Sequence, residues 1–199
     1  MESKLPILAL VGRPNVGKST LFNRLTGTRD ALVADFAGLT RDRQYGFGEF
    51  DEKPFMVVDT GGLMPESADP LAALAEEQAK IALEEADHVF LLVDALKGRT
   101  GDDESIARHL RKLGKPLTLV INKAEGQTKV NAANEFYSLG LGDPWPVSAE
   151  KGDGVSQLLS AALKDFPKLP PPDRNDKSVR VAIIGRPNVG KSTLVNALV

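Results

Sequence analysis

The sequence holds no cysteine and only two histidines. A disulfide framework and thiolate metal sites are therefore excluded, and a structural zinc site lacks ligands. The absence of thiols suits a reducing compartment. Long apolar runs are also missing at the N-terminus. The stretch MESKLPILALVGRP is too short in apolar residues for a signal peptide or a membrane span, so a cytoplasmic location and no membrane partner are expected. Charge of one sign is lacking as well: 25 Lys plus Arg face 27 Asp plus Glu, for a net charge of −2. Nothing global marks a DNA- or RNA-binding protein, although a local basic patch is compatible with this balance.

What is present suffices for a core. The 199 residues are 42% hydrophobic and 26% charged, enough for one sizeable domain and part of another.

The chain is organised around Gly12-Arg13-Pro14-Asn15-Val16-Gly17-Lys18-Ser19-Thr20, a phosphate-binding loop of the form G-x-x-x-x-G-K-[ST]. An apolar strand, Leu5 to Val11, precedes it, and a helix begins at Ser19. In this context backbone N–H groups and the helix N-terminus point at a polyphosphate. Lys18 brings a point charge to the β- and γ-phosphates, and Ser19 brings a hydroxyl to Mg²⁺. The same words return far away. Residues 185–194 read GRPNVGKSTL, identical to residues 12–21. Gly185, Arg186, Pro187, Asn188, Val189, Gly190, Lys191 and Ser192 thus form a second cradle.

Between the two loops, apolar strands alternate with helical patterns. Arg43 to Phe50, with Tyr45, Phe47 and Glu49 on one side, and Phe55 to Val58 predict an antiparallel hairpin at a sheet edge. Leu71 to Ala86, Asp102 to Leu113, Thr128 to Leu139 and a segment from Val155 to Phe166 predict helices. His88 to Asp94, Pro116 to Ile121 and Trp145 to Val147 predict strands. The implied fold is α/β, that of a P-loop NTPase with a mostly parallel central sheet and helices on both faces. Residues 1–166 are expected to form it. Residues 167–178 are a Pro-rich linker, and residues 179–199 begin a second, truncated domain. One strand and part of a helix cannot close a domain, so the chain reads as a fragment of a longer protein.

The phosphate loop alone does not choose among ATPases, kinases and GTPases. Other motifs narrow it. Asp59-Thr60-Gly61-Gly62 follows a strand, where Asp59 can hold Mg²⁺ and the Gly62 N–H can sense a γ-phosphate. Asn122-Lys123-Ala124-Glu125 ends another strand in the place of a guanine-reading N-K-x-D. A carboxylate there accepts from guanine N1–H and its exocyclic amine, a pattern adenine does not offer. Here it is Glu125, one methylene longer than Asp. Ser148-Ala149 matches the loop whose backbone N–H meets guanine O6. Thr40 is the candidate threonine closing over Mg²⁺ and the γ-phosphate, and Thr28 is its rival. Lys18, Thr40 and Gly62 are the expected catalytic groups.

These five motifs, in this order, resemble the Era-like GTPases of the translation-factor-related class. The paired GRPNVGKSTL loops are similar to those of the Der (EngA) family, bacterial GTPases with two consecutive G domains and a KH-like domain. The resemblance implies guanine nucleotide, Mg²⁺, GTP hydrolysis and a partner in the assembling large ribosomal subunit. Leu63 stands where many GTPases place a water-orienting glutamine, so slow intrinsic turnover is expected. Asn15 resembles the P-loop asparagine of potassium-stimulated GTPases and is the candidate K⁺ ligand; its other reading is a loop-shaping residue. Arg13 reads as a solvated side chain rather than an arginine finger. A non-catalytic GTP/GDP-binding module is the competing function, with Glu125 and Leu63 as its marks.

Overall fold

A computed structural model of the chain describes residues 5–27, 44–61, 79–125 and 133–168. The chain divides into two units, Met1–Leu169 and Pro170–Val199. Thr28, Thr40, Gly62, Leu63, residues 71–78 and 128–132 of two expected helices, most of the linker and the whole second phosphate loop (Gly185 to Ser192) lie outside the described residues.

Strand β1 (Ile7–Val11) is buried at every position. It sits between β3 (Lys53–Asp59) and β4 (His88–Asp94) in a six-stranded sheet. The order is β2-β3-β1-β4-β5-β6, with β2 (Gln44–Phe50), β5 (Leu117–Asn122) and β6 (Trp145–Pro146) completing it. Only the β2–β3 pair is antiparallel. That pair is the hairpin expected at the edge, and its turn residues Asp51 and Glu52 take positive φ. Tyr45 is buried and Phe47 packs on the same core, but Glu49, expected beside them, is exposed near the turn.

Alternation along the strands sorts side chains to two faces. Ile7, Ala9 and Val11 join Val89, Leu91 and Val93 under helical residues 79–85 (α2) and helix α3 (Gly101–Leu113). Leu8 and Leu10 join Phe90 and Leu92 on the other face, under α1 (Lys18–Thr26) and α5 (Val155–Ala162). A short helical stretch, residues 133–136 (α4), runs into a 3-10 turn over Tyr137–Leu139 and covers the first face with Phe136 and Leu139. Two strands start one or two residues later than their apolar runs suggest. Pro6 and Pro116 have no N–H to give to a ladder, and each contributes only its carbonyl, to Met56 and Val89 respectively.

The parallel strands end in register. Leu10 lies opposite Asp59, and Asp94 opposite Asn122. One edge of the sheet therefore collects the phosphate loop, Asp59, Asp94 and Asn122, at the carboxyl ends where α/β folds bind ligands.

Candidate nucleotide-binding site

The phosphate loop turns sharply between β1 and α1. Gly17 takes φ 95° at the helix start, and a Cβ there would collide with the Asn122 amide. Glycine is needed because the loop must pass against that side chain. Asn15 has φ 66° and is exposed; asparagine tolerates this left-handed geometry better than most residues. Its local role is thus to shape the loop, whatever its side chain binds. Pro14 is exposed and Val16 is fully buried under the loop.

Lys18 is buried, with its ammonium donating to the Gly12 and Arg13 carbonyls at 2.9 and 3.0 Å. Burial lowers its pKa, and the charge of Asp59 partly offsets that. A polyphosphate would supply the negative charge this buried ammonium lacks. Beyond it, Ser19 Oγ donates to Asp59 Oδ2 over 3.1 Å, while Asp59 Oδ1 accepts the Gly61 N–H over 3.0 Å. A hydroxyl and a carboxylate side by side are hard oxygen donors, the set that suits Mg²⁺ completed by water and phosphate. Thr20, the next residue on α1, is exposed. Thr60 turns the other way and fastens its hydroxyl to the Leu10 carbonyl at 2.9 Å.

The two motifs expected to read a base are tied to the phosphate loop through Asn122. Its Nδ2 donates to Val16 O at 2.8 Å, and its Oδ1 accepts the Ala149 N–H at 2.9 Å. The side chain is buried, so both bonds are made away from solvent. One amide proton remains to face a base. The Ala149 N–H, by contrast, is committed to Asn122 in this arrangement. Lys123 Nζ spans from Asn15 O at 3.0 Å to Asp94 Oδ2 at 2.7 Å, which lays its stem across the opening between β5 and the loop. Ala124 is buried, and its N–H holds Val147 O. Glu125 Oε1 accepts from Ser148 Oγ at 2.9 Å, so the longer carboxylate sits beside the Ser148-Ala149 loop.

Three residues that sequence reasoning missed hold this frame. Asp94 is buried at the end of β4. Burial alone would raise its carboxyl, but the Lys123 hydrogen bond and charge and the Leu96 N–H hold it below the usual range. Arg24, in the last turn of α1, donates to the Ala149 and Glu150 carbonyls and supports the base loop from below. Asp103 belongs to a capping box with Thr100, whose T-x-x-D spacing is visible in the sequence. Arg13 corrects an expectation. It is not solvated: only 8% exposed, it donates through Nε to Asp103 Oδ1 at 3.1 Å. Asp103 is fully buried and already fixed at the start of α3, so the guanidinium is drawn inward to neutralise it. The Arg13 side chain is therefore held at Asp103 rather than turned to solvent.

A P-loop, a Ser–Asp pair and an N-K-x-E strand end, arrayed on one edge of a mostly parallel sheet, define a P-loop NTPase of the G-domain class. The chain belongs to the family described as 50S ribosome-binding GTPase, whose sequence pattern matches residues 7–123 and again residues 180–199. Curated relatives named GTPase Der, from Paraburkholderia phytofirmans and Burkholderia ambifaria, are each 54% identical over 198 residues. These alignments cover 98% of this chain and 44% of each relative, so the chain spans less than half their length. Among solved structures, Aquifex aeolicus Era bound to GDP·AlF4⁻ is similar with a TM-score of 0.70 at 34% identity, over 90% of this chain and 62% of that one. Era in complex with MgGDPNP and nucleotides 1506–1542 of 16S ribosomal RNA has a TM-score of 0.70 at 35% identity, over 85% and 59%. The G domain of the Thermotoga maritima FeoB iron transporter follows at 0.62 and 25% identity, over 81% and 98%.

Proposed function

We propose that residues 1–166 are the first G domain of a two-domain GTPase acting in assembly of the large ribosomal subunit. Residues 167–178 are its linker, and residues 179–199 open the second G domain. The observation that carries the reading is the Asn122 bridge from Val16 to Ala149, which joins the phosphate loop to the loops expected to read the base. The family membership, the Der relatives and the Era structure with ribosomal RNA support the ribosomal part.

The chain's residues divide the work. Loop N–H groups and the α1 N-terminus receive the phosphates, and Lys18 balances their charge. Glu125 accepts from guanine N1–H and its exocyclic amine, and Lys123 lines the ring. Ser19 and Asp59, joined by Thr40, would hold Mg²⁺, which when bound draws charge from the β- and γ-phosphate oxygens. Gly62 senses the γ-phosphate. Leu63 cannot orient water, so turnover is slow unless K⁺ at Asn15 adds positive charge where the transition state needs it. The exposed side of Asn15 fits that role as well as loop shaping. The compartment is the cytoplasm, and the region carrying most ribosomal contacts lies in the rest of the longer protein.

Displacement of labelled GDP by GTP, ATP and XTP, followed by single-turnover hydrolysis in K⁺, tests the reading. GTP alone should compete, and phosphate should be released. Equal competition by ATP would overturn the base assignment; binding without phosphate release would favour the non-catalytic module.

A further inference from the structure

Away from the nucleotide edge, α3 turns a second face outward. Its inner face carries Ile106, Ala107 and Leu110 into the core, and its outer face carries Arg108 and Arg111. A cleft of about 180 Å³ opens there, between α3 and the 3-10 turn after α4. Three arginines line it, Arg99, Arg108 and Arg111, and among the described residues Glu104 is the only acidic side chain in its wall. Glu104 is already paired with Arg99. Arg108 and Arg111 make no ion pair with any described residue, although both are exposed within a chain whose net charge is −2. Glu135 takes the Arg99 backbone N–H and stands against Gly98. Ser138 and Leu139 form the far wall, and the preceding Tyr137 is 50% exposed.

Two unpaired guanidinium groups on one side of a polar cleft suit a phosphodiester, which accepts two N–H donors from each. The exposed Tyr137, next in sequence to the wall residue Ser138, supplies a face for a base. A protein partner would want an apolar centre, but the apolar residues of this cleft, Ala107 and Leu139, are themselves buried in the core. We infer that the cleft between α3 and Tyr137–Leu139 is an RNA-docking surface, with Arg108 and Arg111 on backbone phosphates and Tyr137 on a base. The inference adds an RNA-binding site to the ribosomal part of the proposed function and uses none of the nucleotide-binding residues.

The test is fluorescence anisotropy of a labelled oligouridylate with the whole chain, over a range of KCl, alongside labelled-GDP affinity. Replacing both arginines (Arg108→Ala with Arg111→Ala) should weaken RNA binding about tenfold or more, and lower the salt slope by about 0.7 for each phosphate no longer neutralised. GDP affinity should not change, which also certifies folding. Tyr137→Ala should weaken RNA binding and Tyr137→Phe should not. An unchanged affinity and salt slope in the double variant, or no RNA binding by the parent chain, overturns the surface. Equal displacement by polyglutamate points to an acidic protein instead and also overturns it. Loss of GDP binding by the parent chain would count against the nucleotide reading alone.

Discussion

Ser19 Oγ and Asp59 Oδ2, forty positions apart in the chain, lie 3.1 Å from each other at the ends of α1 and β3. Each is anchored by its own element: Ser19 by the helix that follows the phosphate loop, Asp59 by its parallel register beside β1. Their separation is therefore set by the fold rather than by a mobile loop. A metal shared between them should feel the loss of either. Ser19→Ala and Asp59→Asn are expected to raise the Mg²⁺ concentration for half-maximal GTP hydrolysis by about tenfold or more, since the first removes a hydroxyl donor and the second the negative charge of the carboxylate. Phosphate release measured against Mg²⁺ concentration checks this. A lower plateau at an unchanged Mg²⁺ midpoint would argue against a shared site.

Asn122 makes two buried bonds to backbone on opposite sides of the site. Truncation leaves the Val16 carbonyl and the Ala149 N–H without partners. Asn122→Ala should cost about 2–3 kcal/mol in urea unfolding and weaken GDP binding beyond what stability explains. Asn122→Asp keeps an acceptor for Ala149 but loses the donor to Val16. Its stability should fall between those of the parent and Asn122→Ala, and it should still bind GDP poorly.

The sheet, the edge hairpin and the motif-bearing strand ends were legible in the sequence, because apolar strand runs and a phosphate loop constrain the chain locally. The pairings around them were not. Nothing near Arg13 in sequence announces Asp103, ninety positions later, as the charge that draws it inward. Asp94 likewise looks like an ordinary strand-end aspartate until its register beside Asn122 brings Lys123 to it. Capping signals are local and were available: Thr100 with Asp103 spells the box that fixes α3. Which partner a buried charge finds across the fold is a tertiary property, and pattern spacing does not carry it.

The Arg13–Asp103 pair couples the phosphate loop to the start of α3, with side chains only 10% and 0% exposed. Arg13 Nη2 is buried without a hydrogen-bond partner among the described residues, so the pair is not fully compensated there. Removing one member leaves the other charged in the interior. Asp103→Ala and Arg13→Ala should each destabilise by about 3–5 kcal/mol. The double change Arg13→Met with Asp103→Leu should destabilise less than either single change. Urea midpoints of the three variants test this; additive losses would mean that the two residues act independently.

His88 sits at the start of β4, with Nε2 2.8 Å from Thr118 Oγ1 and its ring edge-on to Phe90. Burial lowers its pKa from 6.5. The unfolded chain therefore binds this proton at a higher pH than the folded one. The contribution of the neutral imidazole is complete above the unfolded pKa and is lost as pH falls through it toward the lower folded value. Stability should drop more steeply below about pH 6.5 in the parent chain than in His88→Gln. Thermal unfolding across that range measures the difference, and parallel pH curves would assign the acid sensitivity elsewhere.

The K⁺ role proposed for Asn15 bears on the rate of hydrolysis itself. The Asn15 backbone is already committed: a left-handed φ of 66° and a carbonyl taken by Lys123. Its exposed side chain makes no hydrogen bond with the described residues, and so is available to a cation beside the phosphates. Exchanging Na⁺ for K⁺ at constant ionic strength should therefore raise the rate of phosphate release. Asn15→Gly preserves the backbone angle while deleting the amide, and it should abolish the K⁺ effect without weakening GDP binding. Asn15→Asp keeps an oxygen and should retain part of the stimulation. Equal rates in the two salts would leave Asn15 as a loop-shaping residue only, because the same φ serves that role with no cation at all.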